Sequence, residues 1–102
     1  MYVYVPFRYK DVAVKLGAKW NNITKAYDIS INHKNIKQLM KFCYEHTDRT
    51  YLKIENNEAR PFGAKYDIFY NCWYTHVSNP HYKHLTSTYL NLNKSIFMQS
   101  VY

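Results

Sequence analysis

Three lysines on one flank of a predicted helix are the residues of this chain best suited to bind a polyanion. Lys34, Lys37 and Lys41 follow one another at i, i+3 and i+7, which places them on one side of a helix. Ammonium groups in such a row can contact successive phosphates of a nucleic acid. An ordinary solvated helix face shows the same pattern, so both interpretations stay open at this point.

Four large aromatic residues are candidate platforms for unpaired bases, because every base has a flat face that can stack on an aromatic ring. They are Trp20, Tyr27, Tyr66 and Trp73, on the predicted strands of two hairpins. The alternative is that they pack as cross-strand pairs within a core. Lys19 and Lys65 immediately precede Trp20 and Tyr66 and would add phosphate contacts at equivalent strand positions.

The histidines and cysteines form no recognisable metal or catalytic motif. His81 and His84 are three positions apart, with His76 and Cys72 close in sequence, but this spacing matches no zinc-finger pattern. Cys43 and Cys72 form neither a CxxC pair nor a disulfide framework. No nucleophile elbow, glycine-rich phosphate loop or paired-carboxylate motif accompanies them. We expect no metal, no cofactor and no enzymatic activity.

An internal repeat organises the chain. Gly17-Ala18-Lys19-Trp20 recurs as Gly63-Ala64-Lys65-Tyr66, 46 positions later, and a second aromatic follows seven positions on in both copies. The same offset pairs Ile31 with Val77. We expect one compact domain over 1–102, made of a complete repeat (1–48), a trimmed repeat (49–86) and a C-terminal extension (87–102). If both tryptophans are core residues, Trp20→Ala and Trp73→Ala should be comparably damaging, by roughly 3–5 kcal/mol.

The local pattern predicts an α+β fold. Residues 2–5 read as a strand, residues 8–16 as a helix ending at Gly17, and residues 18–20 and 25–31 as a hairpin. Asn32 is a candidate cap for a second helix, whose apolar stripe recurs at helical spacing. The second repeat restarts this order with its first helix reduced to a turn. We therefore predict two tandem strand–helix–hairpin(–helix) units that share one antiparallel sheet about a pseudo-twofold axis.

The composition is basic and rich in tyrosine. Fourteen Lys and Arg stand against seven Asp and Glu, for a net charge of +7, and Tyr accounts for 12 residues. Such a charge attracts polyanions, and it also suits simple solubility. The chain opens on a strand pattern rather than a signal peptide and has no long apolar run. We expect no membrane association and an intracellular location: the cytoplasm or nucleus of a host, or a virion.

Part of the first repeat resembles a known family. The matching residues are Val5-Pro6-Phe7, Lys10-Asp11, Ala13, Leu16-Gly17-Ala18-Lys19-Trp20 and Lys25-x-Tyr27. This pattern is similar to a small domain found beside plasmid-type DNA primases and other viral or mobile-element DNA enzymes, whose own biochemistry is obscure. The resemblance covers residues 2–30, with a more degenerate copy at 51–76. It implies association with DNA-processing proteins in viruses or mobile genomes, and it transfers no catalytic residue.

The departures from the family pattern are specific. Asn21 stands where the family has Asp, and Tyr27 stands where it has Trp. The second copy has Asp67 and Trp73-Tyr74 in register, but it lacks the proline, the helix and the lysine of the turn.

Our hypothesis from the sequence is a non-catalytic nucleic-acid-binding accessory protein of viral or mobile-element origin. It would use the lysines for phosphates and the aromatic residues for bases. Two alternatives stay open. One is a protein–protein interaction module, in which a viral factor binds a host or replication protein. The other is a structural component that forms a homodimer or larger homo-oligomer. Lysines clustered on one face favour nucleic-acid binding, whereas exposed apolar area without focused charge favours the protein–protein interaction module.

Overall fold

The computed structural model describes residues 1–98 and has a mixed α+β architecture, as the sequence predicts. Within these residues the strands form two antiparallel sheets. The chain divides into two compact units. The N-terminal unit is Met1–Thr47 with Phe97 and Met98, and the C-terminal unit is Asp48–Ile96. That the two repeats form one domain about a pseudo-twofold axis stays a prediction.

The N-terminal unit contains one sheet and two α-helices. Its elements are β1 (Tyr2–Val3), a 3-10 turn (Phe7–Tyr9), α1 (Lys10–Lys15), β2 (Lys19–Asn21), β3 (Ala26–Asp28) and α2 (Ile36–His46). The sheet order is β1-β3-β2. Helix α2 forms because Ile36, Leu39, Met40 and Cys43 recur on one face, and all four are buried. The expectation that Asn32 caps this helix is wrong, since α2 begins at Ile36 after Asn35.

The C-terminal unit repeats the order of elements with a shortened first helix. Its elements are β4 (Arg49–Lys53), α3 (Asn56–Ala59), a 3-10 turn (Arg60–Phe62), β5 (Lys65–Asp67), β6 (Cys72–His76), α4 (Tyr82–Thr88) and β7 (Leu90–Asn91). Helix α5 (Asn93–Met98) begins in this unit. The sheet order is β5-β6-β4-β7, and a buried cluster of Leu52, Ala59, Ala64 and Leu85 packs beneath it. The last residues of the predicted extension, 99–102, lie outside the described residues.

The expectation of a single shared sheet is wrong. In each repeat the first strand pairs with the second strand of its own hairpin: Val3 faces Tyr27, and Leu52 faces Trp73. Each hairpin therefore finds its third strand within the same repeat. The outer strand of each hairpin, β2 or β5, lies at a sheet edge.

The hairpin turns of the two units are equivalent down to individual hydrogen bonds. Asn21 Oδ1 accepts the backbone N–H groups two and three residues on, at 2.9 and 3.2 Å. Asp67 Oδ1 accepts the corresponding two N–H groups at 2.9 and 3.1 Å. Lys25 and Asn71, 46 positions apart, both adopt positive φ, at 58° and 52°. Because only a side-chain oxygen is needed here, Asn21 and Asp67 close the same turn.

Candidate functional site

Positive charge is concentrated in the N-terminal unit. This unit contains eight Lys and Arg against three Asp and Glu, whereas the C-terminal unit contains six against four. All eleven lysines of the chain are exposed. Two carboxylates of the C-terminal unit are paired with basic side chains: Asp67 with Arg49, and Asp48 with His76. The charge that a polyanion would meet is therefore chiefly lysine.

The three predicted lysines of the second helix lie at two kinds of position. Lys37 and Lys41 are on α2, exposed and away from its buried stripe, while Lys34 is in the turn before the helix. Lys41 Nζ lies 3.9 Å from Glu45 Oε1, an exposed pair that contributes little to stability. The first turn of α2 holds no acidic residue. Since the helix macrodipole disfavours cations at this end, helix stability does not explain why lysines occur here.

Each hairpin carries one aromatic pair in the same geometry. The ring centroids of Trp20 and Tyr27 are 5.0 Å apart at 67°, and those of Tyr66 and Trp73 are 5.3 Å apart at 69°. These are edge-to-face contacts across a strand pair, the packing that the alternative interpretation expects. In both pairs the residue on the edge strand is the exposed one: Trp20 is 50% and Tyr66 46% exposed. The inner partners are half-buried, and Trp73 packs on the core cluster of its unit.

Lys19 and Lys65 are exposed, but they do not share a sheet face with the adjacent aromatic residues. Consecutive strand residues point to opposite faces. Lys19 is paired with Asp28, and Lys65 with Tyr74, whereas Trp20 is paired with Tyr27. On the second hairpin, the guanidinium of Arg60 lies 5.7 Å from the Trp73 ring centroid. Lys19 and Lys65 therefore lie on the sheet face opposite Trp20 and Tyr66.

A basic aromatic segment that the hypothesis did not include lies at residues 7–10. Lys10 Nζ is 4.7 Å from the Phe7 ring centroid, and the Arg8 guanidinium is 4.9 Å from that of Tyr9. Tyr9 packs edge-on against Phe42 of α2 at 5.0 Å, so the segment is fixed beside that helix. The available sequence signal was the alternation of aromatic and basic residues, but these positions fall at the start of the helix predicted over 8–16.

Asp48, His76 and Ser78 form a hydrogen-bonded chain of the kind seen in serine hydrolases. The Ser78 backbone N–H donates to His76 Nδ1 at 3.1 Å, so that nitrogen acts as an acceptor and is 2.6 Å from Ser78 Oγ. His76 Nε2 lies 3.0 Å from Asp48 Oδ2. Hydrolase triads attach serine to Nε2 and the acid to Nδ1, the opposite arrangement.

Comparison with the first repeat indicates that these contacts close a turn. Ser30 and Asn32 occupy the positions equivalent to His76 and Ser78, and Ser30 Oγ accepts the Asn32 N–H at 3.3 Å. A side chain at this place therefore closes the turn before the second helix in both repeats, by a serine oxygen in one and an imidazole nitrogen in the other.

A buried polar cluster of the C-terminal unit uses the second oxygen of Asp67. Asp67 Oδ2 accepts hydrogen bonds from Tyr51 Oη at 2.8 Å and from an Arg49 guanidinium nitrogen at 3.2 Å. The Arg49 guanidinium also lies 4.0 Å over the ring of Tyr74. Burial raises the pKa of Tyr51 well above its usual range, so this phenol stays protonated and keeps donating. The cluster joins β4 to the hairpin and has a structural role.

Among residues 1–98, no three or more His, Cys, Asp or Glu side chains are grouped to hold a metal ion. In the same part of the chain, no helix has the length and apolar character needed to cross a bilayer.

Comparisons with protein-family models, with curated proteins and with solved structures give no match for this chain. The resemblance to the primase-associated domain therefore stays a prediction.

Proposed function

We propose that this protein is a non-catalytic nucleic-acid-binding accessory protein of viral or mobile-element origin, which binds chiefly through its N-terminal unit. The observation that carries the proposal is the charge of that unit, where every lysine is exposed and basic side chains outnumber acidic ones by eight to three. Lysine contacts to phosphates depend on charge density rather than base identity. Binding is therefore expected to be weakly sequence-specific and steeply salt-dependent.

The aromatic residues give the proposal a second component. Trp20 and Tyr66 present half of their surface to solvent at equivalent edge-strand positions. Tyr27 and Trp73 lie behind them and support the exposed rings. Lys19 and Lys65 extend from the opposite face of the same edge strands, where they would contact the phosphate backbone as a strand of nucleic acid passes the sheet edge.

Fluorescence anisotropy with labelled single- and double-stranded DNA and RNA tests the proposal at about 50 mM and about 200 mM salt. We expect micromolar binding at low salt that weakens sharply at the higher concentration. The triple variant Lys34→Ala, Lys37→Ala, Lys41→Ala should bind much more weakly. The matched control removes three exposed lysines of the C-terminal unit, Lys53, Lys83 and Lys94, and should lose less affinity. Absence of binding at low salt contradicts the proposal.

A protein–protein interaction module is the second candidate, and a specific observation favours it. Both repeats expose apolar residues at the same positions: Ile23 corresponds to Phe69, and Ile31 to Val77. Exposed apolar side chains in register across two copies would suit a protein partner or a second copy of this chain. If nucleic acids do not bind, sedimentation of the protein alone and pull-downs with Ile23→Ser and Phe69→Ser variants separate self-association from capture of another protein.

A further inference from the structure

We infer that the segment Phe7–Lys10 is a stacking site for an unpaired base, with Phe7 as its platform and Arg8 and Lys10 as its phosphate contacts. The inference rests on the proposed function and specifies the form of nucleic acid. A base inside a duplex has its faces covered by neighbouring pairs, so a stacking platform of this kind selects single strands.

The exposure of Phe7 is the first observation. Its side chain is 81% exposed, although the proline before it is fully buried and the tyrosine two residues later packs on α2. The 3-10 turn Phe7–Tyr9 is held by the Tyr9 N–H, which donates to the Pro6 carbonyl at 2.9 Å. The backbone under Phe7 is thus fixed while its ring is presented to solvent. Burial of Phe7 contributes almost nothing to the stability of the fold.

The arrangement of cations is the second observation. A single exposed apolar residue is common on protein surfaces. Phe7 differs because Lys10 Nζ lies 4.7 Å from its ring centroid, and Arg8 lies over the adjacent Tyr9 at 4.9 Å. Asp11 is the one carboxylate among residues 1–27, against five basic residues there. A flat apolar ring with one cation over it and a second cation on the same turn, in a carboxylate-poor segment, matches a nucleotide, which has an aromatic base and an anionic phosphate.

A protein partner fits these features less well. An acidic peptide would pair its carboxylates with Arg8 and Lys10. Protein partners gain most of their binding free energy where an anchor side chain fills an apolar pocket, whereas Phe7 is a single exposed ring. The ring of Phe7 stands on a turn, and most of its surface is exposed.

The test compares a labelled thymidine oligonucleotide with an abasic oligonucleotide of the same length, which keeps every phosphate and has no bases. With the intact chain, we expect the thymidine strand to bind about tenfold more tightly at low salt. Phe7→Ala should reduce that difference, to which Trp20 and Tyr66 also contribute under the proposed function, and leave binding of the abasic strand unchanged. Phe7→Tyr should retain it. The control is Ile23→Ala, which removes a 93%-exposed apolar side chain of the same unit that is not aromatic.

The outcomes separate this inference from the proposed function. If both oligonucleotides bind equally to the intact chain, or if Phe7→Ala and Ile23→Ala behave alike, the stacking site is disproved while phosphate binding stands. If Phe7→Ala weakens both oligonucleotides to the same extent, Phe7 does not act through a base and the inference fails. If neither strand binds at low salt, the proposed function fails and this inference with it. Circular dichroism of Phe7→Ala should match that of the intact chain, because the side chain is exposed.

Discussion

Gly17 and Gly63 hold the same place in the two repeats, but their surroundings differ. Both have positive φ, at 107° and 74°. A Cβ at Gly17 would collide with the imidazole of His33, whereas a Cβ at Gly63 would lie 3.4 Å from the Asn79 side chain. His33 cannot easily yield, because its Nδ1 accepts the Asn35 N–H at 3.0 Å.

We therefore expect Gly17→Ala to be the more damaging of the two substitutions. Gly63→Ala should cost about 1 kcal/mol from backbone strain alone, and Gly17→Ala about 2–3 kcal/mol from strain and collision together. Urea unfolding followed by circular dichroism measures both free energies of unfolding. Equal losses would contradict the collision with His33.

Asp67 and Asn21 close equivalent turns, but only Asp67, which is buried, also pairs with a cation, the partly buried Arg49. Asp67→Asn keeps the turn and removes the charge that faces Arg49, so we expect a loss of about 3 kcal/mol in the free energy of unfolding. The matched substitution Asn21→Asp keeps its turn and faces no arginine. It replaces the Asn21 Nδ2 group, which donates to Asp28 Oδ2 at 3.5 Å, with a carboxylate oxygen at a partly exposed site, so it should lower stability by less than about 1 kcal/mol. Urea unfolding of both variants is the measurement, and a neutral Asp67→Asn would show that the pair contributes nothing.

Cys43 gives a pH dependence at the alkaline end. Burial on α2 raises the pKa of this thiol from 9.0 to about 12. Because the folded pKa is the higher one, this contribution to stability is complete below pH 9 and is lost as the pH rises towards 12. The loss should approach about 1.4 kcal/mol per pH unit in that window.

Unfolding by urea under reducing conditions at several pH values from 8 upward checks the Cys43 prediction. Tyr51, whose pKa is also raised by burial, adds a loss above pH 10 in every variant. The variant Cys43→Ala should start from a lower stability and decline less steeply with pH. Identical slopes in the two proteins would show that the thiol is not the group responsible.

At the scale of elements, the two hairpins use their aromatic residues unequally. Trp20 is on the edge strand β2 and half-exposed, whereas Trp73 is on β6 and packs on the buried cluster around Leu52. The repeat places Trp20 in register with Tyr66, and Trp73 in register with Tyr27. The two tryptophans therefore occupy different positions of the same hairpin.

Consequently, we no longer expect the two tryptophan substitutions to destabilise the protein equally. Trp73→Ala should lower the free energy of unfolding by about 3 kcal/mol, and Trp20→Ala by about 1 kcal/mol. Denaturant unfolding of the two variants measures the difference, with Tyr66→Ala as a control that should resemble Trp20→Ala. A Trp20→Ala variant as unstable as Trp73→Ala would place Trp20 in the core and argue against its use as a platform.

At the scale of the molecule, uneven charge predicts how binding depends on salt. Each lysine that contacts a phosphate adds about 0.9 to the slope of log affinity against log salt concentration for duplex DNA, and about 0.7 for a single strand. The triple variant of Lys34, Lys37 and Lys41 should therefore lower the slope by about 2 with a single strand and by nearly 3 with a duplex. Removing Lys53, Lys83 and Lys94 should lower it by less than about 1. Anisotropy titrations across a salt series give both slopes, and equal reductions would show that the N-terminal unit is not the preferred contact.

The sequence by itself determined the local structure. Gly17 and Gly63 end the helical turns because they can adopt positive φ, and the oxygen at Asn21 or Asp67 closes each hairpin turn through adjacent backbone N–H groups. These interactions span a few residues, so a repeated pattern of residues produces a repeated pattern of hydrogen bonds. Because successive residues of a strand point to opposite faces, the sequence alone also separates the side chain of Lys19 from that of Trp20.

Only the tertiary structure decided which strands share a sheet and which side chains meet. The pairing of β1 with β3, and of β4 with β6 and β7, depends on the burial gained when distant segments pack, which local preference does not encode. The contact of Arg49 with Asp67 spans 18 residues, and the exposure of Phe7 beside a buried Pro6 depends on how Tyr9 packs against α2. Sequence patterns are therefore informative where an interaction joins residues close in the chain. The candidate binding surface depends on contacts between residues far apart in the chain.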